Sequence, residues 1–306
     1  MAIHRFEPRR FHTTIGSHEP ALRVGDGDTV ITWCVDARGQ DRAGAQITPR
    51  GNPQTGPFYV EGAAPGDALA VTFDRIYPNR AQGWTNCVVA PWVVDPDFVT
   101  ELPKAELETW ALDLERGLAR LEREGSPASM ASLPFDPMIG CFGVAPAGGQ
   151  AISTATSAEH GGNMDYRGFR QGVTVYLPVA VEGALFHIGD GHAVQGDGEI
   201  VGTGIEVSFD VEFTPRVVRN RRVRWPRAEN EREIMAIGNG RPLDQCVQHA
   251  TTELMRMMQE EYGLTYRDSS AILGQCVRYD LGNVFDPAYT MVAKVEKRFL
   301  PPRRSA

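Results

Sequence analysis

The sequence of 306 residues has little cysteine, and no two of its cysteines stand in a Cys-x-x-Cys pair. An odd number of scattered cysteines argues against a disulfide framework and against a zinc–cysteine site. It indicates reduced core residues of a cytoplasmic protein. The five residues are Cys34, Cys87, Cys141, Cys246 and Cys276.

Long apolar runs and basic runs are also missing. The first residues contain no apolar stretch of signal-peptide length, and no later stretch is long enough to cross a bilayer. The formal net charge is -8, and no basic run with interleaved aromatic residues occurs. We therefore expect neither nucleic acid nor a membrane as a partner.

Two motifs of serine catalysis are absent as well. The sequence has no Gly-x-Ser-x-Gly elbow and no Ser-x-x-Lys motif, so neither a serine triad nor a serine–lysine pair is indicated. Cys141 lies in an apolar stretch, where a cysteine is usually inert packing and not a nucleophile. An enzyme with this sequence needs another source of its nucleophile.

Glycine and proline are abundant, with 32 and 21 residues, and they are spread along the chain without a repeat. This spread is typical of many short strands joined by tight turns. Alternating apolar residues predict strands at 29–35, 68–74 and 173–179, each with one apolar face. The sequence therefore predicts a mainly β protein.

Two stretches are harder to assign. Residues 110–124 alternate like a strand at first and then have helical spacing, which predicts a strand that passes into a short helix or turn. Residues 200–213 predict one long alternating strand with apolar residues on one face. The polar residues of that strand are expected to face solvent or a partner subunit. They are Glu206, Ser208, Asp210 and Glu212.

The C-terminal quarter has a different pattern. Apolar residues of period 3.6 predict a helix from Pro242 that ends at Gly263, and a second helix over 266–280 that begins at Thr265 or Asp268. A closing strand is predicted at 289–295. We expect residues 1–230 to form the β body and residues 231–306 to form a helical βα appendage packed on the same domain.

The stretch from Gly189 to Glu199 combines one imidazole and three carboxylates with four glycines. Asp190 and His192 are two residues apart, which in a strand places both side chains on one face. Asp197 and Glu199 repeat this spacing. The pattern suits ligands that converge on a divalent cation, with a spare carboxylate as base. The alternative is a polar hairpin with a solvated acidic tip, because Gly-Asp-Gly is also ordinary turn chemistry.

A second polar cluster lies between Glu159 and Asp165. Its sequence is Glu-His-Gly-Gly-Asn-Met-Asp, which places an acid, an imidazole, an amide and a second acid around a flexible Gly-Gly pair. Four polar side chains within seven residues favour a functional site over a purely structural segment.

Four blocks of the sequence together resemble the acetamidase/formamidase family. They are Thr55-Gly-Pro-Phe-Tyr-Val-Glu-Gly-Ala-Ala-Pro-Gly-Asp67, Pro137-Met-Ile-Gly-Cys-Phe-Gly-Val-Ala-Pro146, Gly161-Gly-Asn-Met-Asp165 and the stretch 189–199. The resemblance covers about residues 20–300. It implies a jelly-roll-like β-sandwich, here with a C-terminal α/β appendage. It also implies a homo-oligomeric amidase that cleaves small aliphatic amides to a carboxylate and ammonia, with a divalent cation.

The resemblance carries functional candidates onto matching positions. They are Asp36, Asn163, Asp165, Asp190, His192, Gln195, Asp197 and Glu199. We expect Asp36, Asp190 and His192 to bind the metal, zinc first and calcium as the alternative. Such a metal lowers the pKa of a bound water to roughly 7.

The remaining candidates are expected to handle the substrate and its protons. Glu199 is the expected general base and proton shuttle to the leaving nitrogen. Gln195 or Asn163 is expected to donate to the substrate oxygen, and Asp165 to orient a metal ligand.

Two other functions stay open at this point. A non-catalytic β-sandwich binding module can hold a structural calcium ion with acidic loops, because calcium prefers oxygen ligands. Alternatively, the enzyme hydrolyses a cyclic amide, a lactam. The sequence does not decide between a linear and a cyclic substrate.

Overall fold

A computed structural model describes residues 1–304 of the chain. Most of the regular structure is β, and both α-helices lie near the C-terminus. The strands are β1 (Ile3–Arg5), β2 (Phe11–His12), β3 (Thr14–Gly16), β4 (Leu22–Val24), β5 (Thr29–Cys34), β6 (Gln54–Val60), β7 (Ala68–Pro78), β8 (Gln82–Asn86), β9 (Leu107–Asp113), β10 (Leu118–Leu121), β11 (Leu133–Pro134), β12 (Met138–Val144), β13 (Ala151–Ser153), β14 (Ser157–Ala158), β15 (Gly161–Asn163), β16 (Thr174–Pro178), β17 (Phe186–His192), β18 (Phe209–Val218), β19 (Arg227–Glu229), β20 (Glu233–Gly240), β21 (Arg278–Asn283) and β22 (Tyr289–Glu296). The helices are α1 (Leu243–Tyr262) and α2 (Tyr266–Cys276).

Two large sheets form the body. The nine-stranded sheet has the order β1-β5-β18-β7-β16-β19-β20-β22-β21, and the seven-stranded sheet has the order β14-β15-β12-β17-β6-β2, with β4 also paired to β6. A four-stranded sheet, β11-β10-β9-β8, and the pair β13-β3 complete the β structure. Almost all neighbours are antiparallel; β1 with β5 and β4 with β6 are parallel.

The core lies between the two large sheets. Phe58 and Phe186 of the seven-stranded sheet contact Phe213 of the other sheet, with ring centroids 5.1 and 5.3 Å apart. Phe142 and Phe73 make a third contact across the interface at 5.2 Å. All five rings are fully buried, so the sheets stack face to face through their apolar sides. The prediction of a mainly β, jelly-roll-like sandwich with a C-terminal α/β appendage is confirmed.

Both predicted helices are present, but the second ends at Cys276 and not at residue 280, because Arg278–Asn283 pair with β22 as strand β21. Helix α1 ends at Gly263, whose φ of 71° gives the left-handed conformation that glycine adopts without strain. Helix α2 begins after Thr265, which forms a capping box with Asp268. Helix α1 packs on β20 and β22, which belong to the nine-stranded sheet. Among the described residues, neither helix is long and apolar enough to cross a membrane.

The two stretches that were hard to assign differ from expectation. Residues 107–121 form a hairpin of β9 and β10. The predicted long strand over 200–213 is wrong in its first half, because regular pairing begins only at Phe209. Gly204 lies against His192, so that a Cβ on it would be 2.5 Å from the imidazole Cγ. This close approach holds residues 202–206 in a bent path beside the imidazole.

The orientation predicted for the polar residues of that stretch is also wrong in part. Glu206 is 2% exposed and Ser208 is fully buried, whereas Asp210 and Glu212 are half-buried. The backbone of Glu206 forms isolated bridges to Trp84 and His192 and therefore aims the Glu206 side chain inward.

Candidate functional site

Polar residues from distant parts of the chain meet at the floor of a cavity of about 410 Å³. Strand β12 organises them, because it pairs with β15 on one side and with β17 on the other. This pairing brings the end of β15, with Asn163 and Asp165, next to Asp190 and His192 of β17. Glu199, Glu206 and Asp286 approach from the loops that follow β17 and β21.

Gly140 makes this convergence possible. A Cβ at this position of β12 would lie 2.2 Å from Asp165 Oδ1 and 2.9 Å from Asp190 Oδ2. The Gly140 carbonyl also accepts hydrogen bonds from the amides of Met164 and Asp165, each at 3.1 Å. Only glycine leaves space for two carboxylates over the strand.

Three of the acidic residues have a strained backbone. The φ angles of Asp165, Asp190 and Glu199 are 41°, 65° and 48°, in the left-handed region that side-chain-bearing residues rarely adopt. Each such residue costs of the order of 1–3 kcal/mol, and such residues cluster at functional sites. The surrounding contacts hold all three carboxyl groups in one place against this cost.

Two groups of three side chains have the spacing of metal ligands. Asp190, His192 and Glu206 form one group, and Asp165, His192 and Glu199 form the other. In each group the ligand atoms all lie within 4.8 Å of one another, and every member is buried. His192 belongs to both groups and is the centre of the site.

The hydrogen bonds of Gln195 fix the tautomer of His192. Gln195 Nε2 donates to the carbonyl oxygen of Asp165, so Gln195 Oε1 faces His192 Nδ1 at 2.8 Å. An amide oxygen only accepts, and Nδ1 therefore carries the proton. The other nitrogen, Nε2, lies 2.9 Å from Glu206 Oε1 and 3.4 Å from Asp190 Oδ1. This nitrogen is left for a cation or a second proton.

The electrostatics of the site favour a bound cation. Burial, reinforced by neighbouring carboxylates, raises the pKa of Asp165 and Glu199 well above the usual range. Burial raises the pKa of Glu206 to about 7 and that of Asp286 to about 6. Burial alone lowers the pKa of His192, but Glu206 and Asp190 outweigh it and raise that pKa well above its usual value.

The residues present fit a divalent metal ion. Asp165 Oδ1, His192 Nε2 and Glu206 Oε2 are buried polar atoms without a hydrogen-bond partner in the described part of the chain. Buried polar atoms are usually paired, and an unpaired one costs about 1–3 kcal/mol. An imidazole nitrogen with carboxylate oxygens is a donor set for zinc and, through the oxygens, for calcium.

Two of the expected residues lie outside both ligand groups. Asp36 is fully buried, but its Oδ1 accepts from the amides of Arg38 and Gln40, and its Oδ2 accepts from Arg80 and Trp84 at 2.8 and 3.0 Å. Asp197 is exposed and lies 3.5 Å from Arg167. The structure therefore does not bring Asp36 or Asp197 together with His192.

The remaining expected residues line the site or support it. Asn163 and Glu199 line the cavity. Asn163 Nδ2 donates to Asp286 Oδ2 at 2.6 Å, and Asn163 Oδ1 accepts from Asn52 at 2.8 Å. Gln195 is buried against His192 and Asp165 and does not line the cavity.

Sequence reasoning missed four residues of the site. Asn283 Nδ2 lies within 2.7–2.9 Å of oxygens of Asp165, Glu199 and Asp286, so one amide links three acids. Asn52 Nδ2 likewise donates to Asp190 Oδ2 at 2.9 Å. The available signals were the polar pair Asn283 and Asp286, three residues apart, and the glycines before Glu206. The missed residues are Asn52, Glu206, Asn283 and Asp286.

The chain is similar to known proteins of one family. The model of the Acetamidase/Formamidase family matches residues 139–245, which include the residues of both ligand groups. A crystal structure of acetamidase from Yersinia enterocolitica is similar, with a TM-score of 0.85 and 30% identity over 98% of this chain and 93% of that one.

Curated sequences give a similar result over shorter lengths. An acetamidase from Mycolicibacterium smegmatis is 30% identical over 195 residues, 48% of this chain and 48% of that protein. A protein from Schizosaccharomyces pombe is 27% identical over 65% of this chain and 62% of its own length. The chain thus spans between about half and three fifths of the curated relatives that it matches.

Proposed function

Because this chain belongs to the acetamidase/formamidase family, we propose that it hydrolyses small aliphatic amides to a carboxylate and ammonia with the help of a divalent cation. The observation that carries the proposal is the set of buried, unpartnered ligand atoms around His192, next to a cavity that Asp190, Glu199 and Glu206 line. A hydrolase needs its cation next to a cavity that both water and a small substrate can enter.

We assign His192, Asp190 and Glu206 as the residues that hold the cation. Glu206 replaces Asp36 in the expected ligand set, since both oxygens of Asp36 already accept hydrogen bonds. The imidazole makes zinc the first choice and calcium the second. When bound, such a cation supplies an activated water at neutral pH and a Lewis acid for the amide carbonyl.

Glu199 is the proposed proton carrier. Its carboxyl group lines the cavity, and burial together with the charge of Asp286 raises its pKa well above the usual range. A carboxyl group with a raised pKa can take up a proton near neutral pH and return it to the leaving nitrogen. Asn283, which donates to Glu199 Oε2 at 2.9 Å, holds the group in place.

Asn163 is the proposed donor to the substrate oxygen. Its Nδ2 uses one hydrogen on Asp286, which leaves the second hydrogen for a ligand in the cavity that Asn163 lines. Asp165, next to it, supports the second ligand group. Gln195 acts as a positioning residue, because it contacts the imidazole and not the cavity.

The test is ammonia release from formamide, acetamide, longer amides and a lactam. We expect the purified protein to release ammonia from linear amides, to lose this activity on dialysis against a chelator, and to regain it with zinc or calcium. Metal analysis of the active protein identifies the ion. Full turnover by metal-free protein would contradict the proposed role of the cation. Calcium binding without any ammonia release would favour the binding module, and turnover of the lactam alone would favour the cyclic substrate.

Replacing Gly140 with alanine should weaken metal binding and activity together. The added Cβ would overlap Asp165 Oδ1 and press on Asp190, so both carboxylates must move. We expect kcat/KM for acetamide to fall about 10- to 100-fold, since displacements of this size at a reacting centre have such effects. Gly196→Ala is the matched control, because a Cβ there meets nothing within 4 Å. Equal activity of the two variants would contradict the proposed site.

The homo-oligomeric state and the cytoplasmic location stay predictions. Light scattering of the eluted protein measures the first, and fractionation of the source cells measures the second.

A further inference from the structure

Two arginines without a charged partner stand at the cavity that contains the proposed active site. Arg38 and Arg50 both line it, and within residues 1–304 neither guanidinium makes a hydrogen bond or an ion pair. The contrast with Arg80 is informative, because Arg80 is bound to Asp36 at 2.8 Å. Both guanidinium groups therefore keep their positive charge free at the opening of the cavity.

Backbone and ring contacts hold the two arginines at this opening. The carbonyl oxygen of Ala37 accepts from the amides of Gly51 and Asn52, at 3.3 and 3.0 Å, which ties the segment of Arg38 to that of Arg50. The Arg38 guanidinium lies over the Trp84 ring, 5.3 Å from its centroid. Stacking on a ring fixes the plane of the guanidinium and leaves its N–H edge free to bind.

The same contacts connect the opening to the floor. Trp84 and Glu206 exchange two backbone hydrogen bonds of 3.1 and 2.9 Å, so the ring under Arg38 belongs to the residue paired with a proposed metal ligand. Asn52, two residues after Arg50, donates to Asp190 Oδ2. Arg38, Arg50, Trp84 and Leu107 therefore line the same cavity as the acidic residues Asp190, Glu199 and Glu206.

The cavity is larger than an acetamide molecule. On a scale where one water occupies about 30 Å³ of liquid, acetamide fills roughly 100 Å³. The cavity holds about 410 Å³. A larger acyl group fits beside the reacting amide, and the apolar faces of Trp84 and Leu107 suit methylene groups.

We propose that the physiological substrate is an amide whose acyl chain ends in a carboxylate, a short ω-amic acid. This inference rests on the proposed amidase function and names its substrate class. The amide group lies at the floor, the methylene groups lie along Trp84 and Leu107, and the far carboxylate binds Arg38 and Arg50. The planar fork of a guanidinium matches a carboxylate with two parallel hydrogen bonds.

The reaction remains amide hydrolysis. Water adds its oxygen to the carbonyl carbon, the C–N bond breaks, and the nitrogen leaves as ammonia, which takes a proton to become ammonium. One amide with one terminal carboxylate and one water give a dicarboxylate and one ammonium ion. No oxidant, reductant or further reactant is required.

The test compares charged and neutral amides of matched length, namely succinamate with butyramide and glutaramate with pentanamide. For the metal-loaded protein we expect kcat/KM for the charged member to be about tenfold higher, the value of one good charge-assisted contact of roughly 1.4 kcal/mol. In Arg38→Met and Arg50→Met this ratio should fall toward one. Raising the salt concentration should also lower it, because the opening is exposed.

Arg42→Met is the control. Arg42 is exposed in the same loop, its guanidinium lies over Trp33, and it does not line the cavity. The ratio of charged to neutral turnover should stay unchanged in this variant. An equal fall of this ratio in Arg42→Met would overturn the proposal, since it would indicate a general effect of the positive charge of the protein.

A binding experiment separates failure of this inference from failure of the proposed function. Calorimetry with glutarate, the product of glutaramate hydrolysis, should show binding that weakens in Arg38→Met and Arg50→Met. If neutral amides are hydrolysed as well as charged ones, the amidase function stands and the substrate class is wrong. If no amide is hydrolysed but glutarate binds through the two arginines, the anion site stands and the amidase function is wrong.

Discussion

Replacing His192 with alanine is expected to abolish both metal binding and amide hydrolysis. His192 is the only side chain shared by the two ligand groups of the described structure, and it is fully buried between Asp190 and Glu206. Its loss removes the nitrogen ligand and leaves several acidic groups in one buried space. We expect the metal content to fall below about a tenth of an ion per chain and kcat/KM for acetamide to fall at least about 1,000-fold, the scale seen when a catalytic group is removed.

The control for this experiment is His160→Ala. His160 is also a buried histidine, and neither of its ring nitrogens has a hydrogen-bond partner. Burial lowers its pKa to about 4, so it is neutral under assay conditions. It belongs to neither ligand group. We expect His160→Ala to keep its metal, whereas His192→Ala with full metal content and normal turnover would contradict the proposed site. Circular dichroism of both variants checks that the fold is kept.

The sequence predicted the strands, the helices and the Asp190–His192 pair because these depend on local patterns. Alternating residues identified strands, and Thr265 and Gly263 marked the ends of helices through capping, which acts within a few residues. Asp190 and His192 were recognised as a pair from their spacing in a strand. The structure places their ligand atoms together, 3.4 Å apart.

The rest of the site depends on contacts that no local pattern contains. Glu206 lies within a run of alternating apolar and polar residues, and this pattern indicated a solvent-facing side chain. The backbone bridges to Trp84 and His192 instead turn the Glu206 side chain inward. Asn283 is positioned by a backbone bridge to Gly198, which lies 85 residues earlier in the chain. Asp36 has the right chemistry, yet Arg80 and Trp84 occupy its Oδ2. Long-range register decided each of these cases.

The positive φ angles of the site are a further feature that the sequence did not predict. Asp190 and Glu199 adopt a backbone conformation that their intrinsic propensity does not favour. The packing of the surrounding sheet offsets the free energy of this strain. Rules of sequence interpretation describe the favoured conformation at each residue, so they fail where function requires an unfavoured one. The buried acidic groups are a second departure of this kind, because they destabilise the apo fold.

The largest effect on stability is expected from Arg227→Met. Arg227 of β19 is fully buried, and its Nε donates to Glu253 Oε1 of α1 at 2.8 Å, while its Nη1 contacts Glu260 at 2.7 Å. This ion pair joins helix α1 to the nine-stranded sheet. Removing the arginine leaves Glu253, which is also fully buried, without its main partner. Breaking one side of a buried pair costs about 3–5 kcal/mol, so the urea and thermal midpoints should fall clearly.

Two further variants distinguish the ion pair from simple loss of packing. The double variant Arg227→Met with Glu253→Gln removes both charges. We expect it to recover part of the lost stability, because the cost arises from a buried carboxylate left with Arg256 as its charged partner. Arg23→Met removes an exposed pair with Glu61 and should leave the midpoints unchanged. If the double variant is less stable than the single one by the full cost of Glu253→Gln alone, the two side chains are not coupled. The joint between α1 and the sheet then depends on its apolar contacts, chiefly Ala250, Leu254 and Met257.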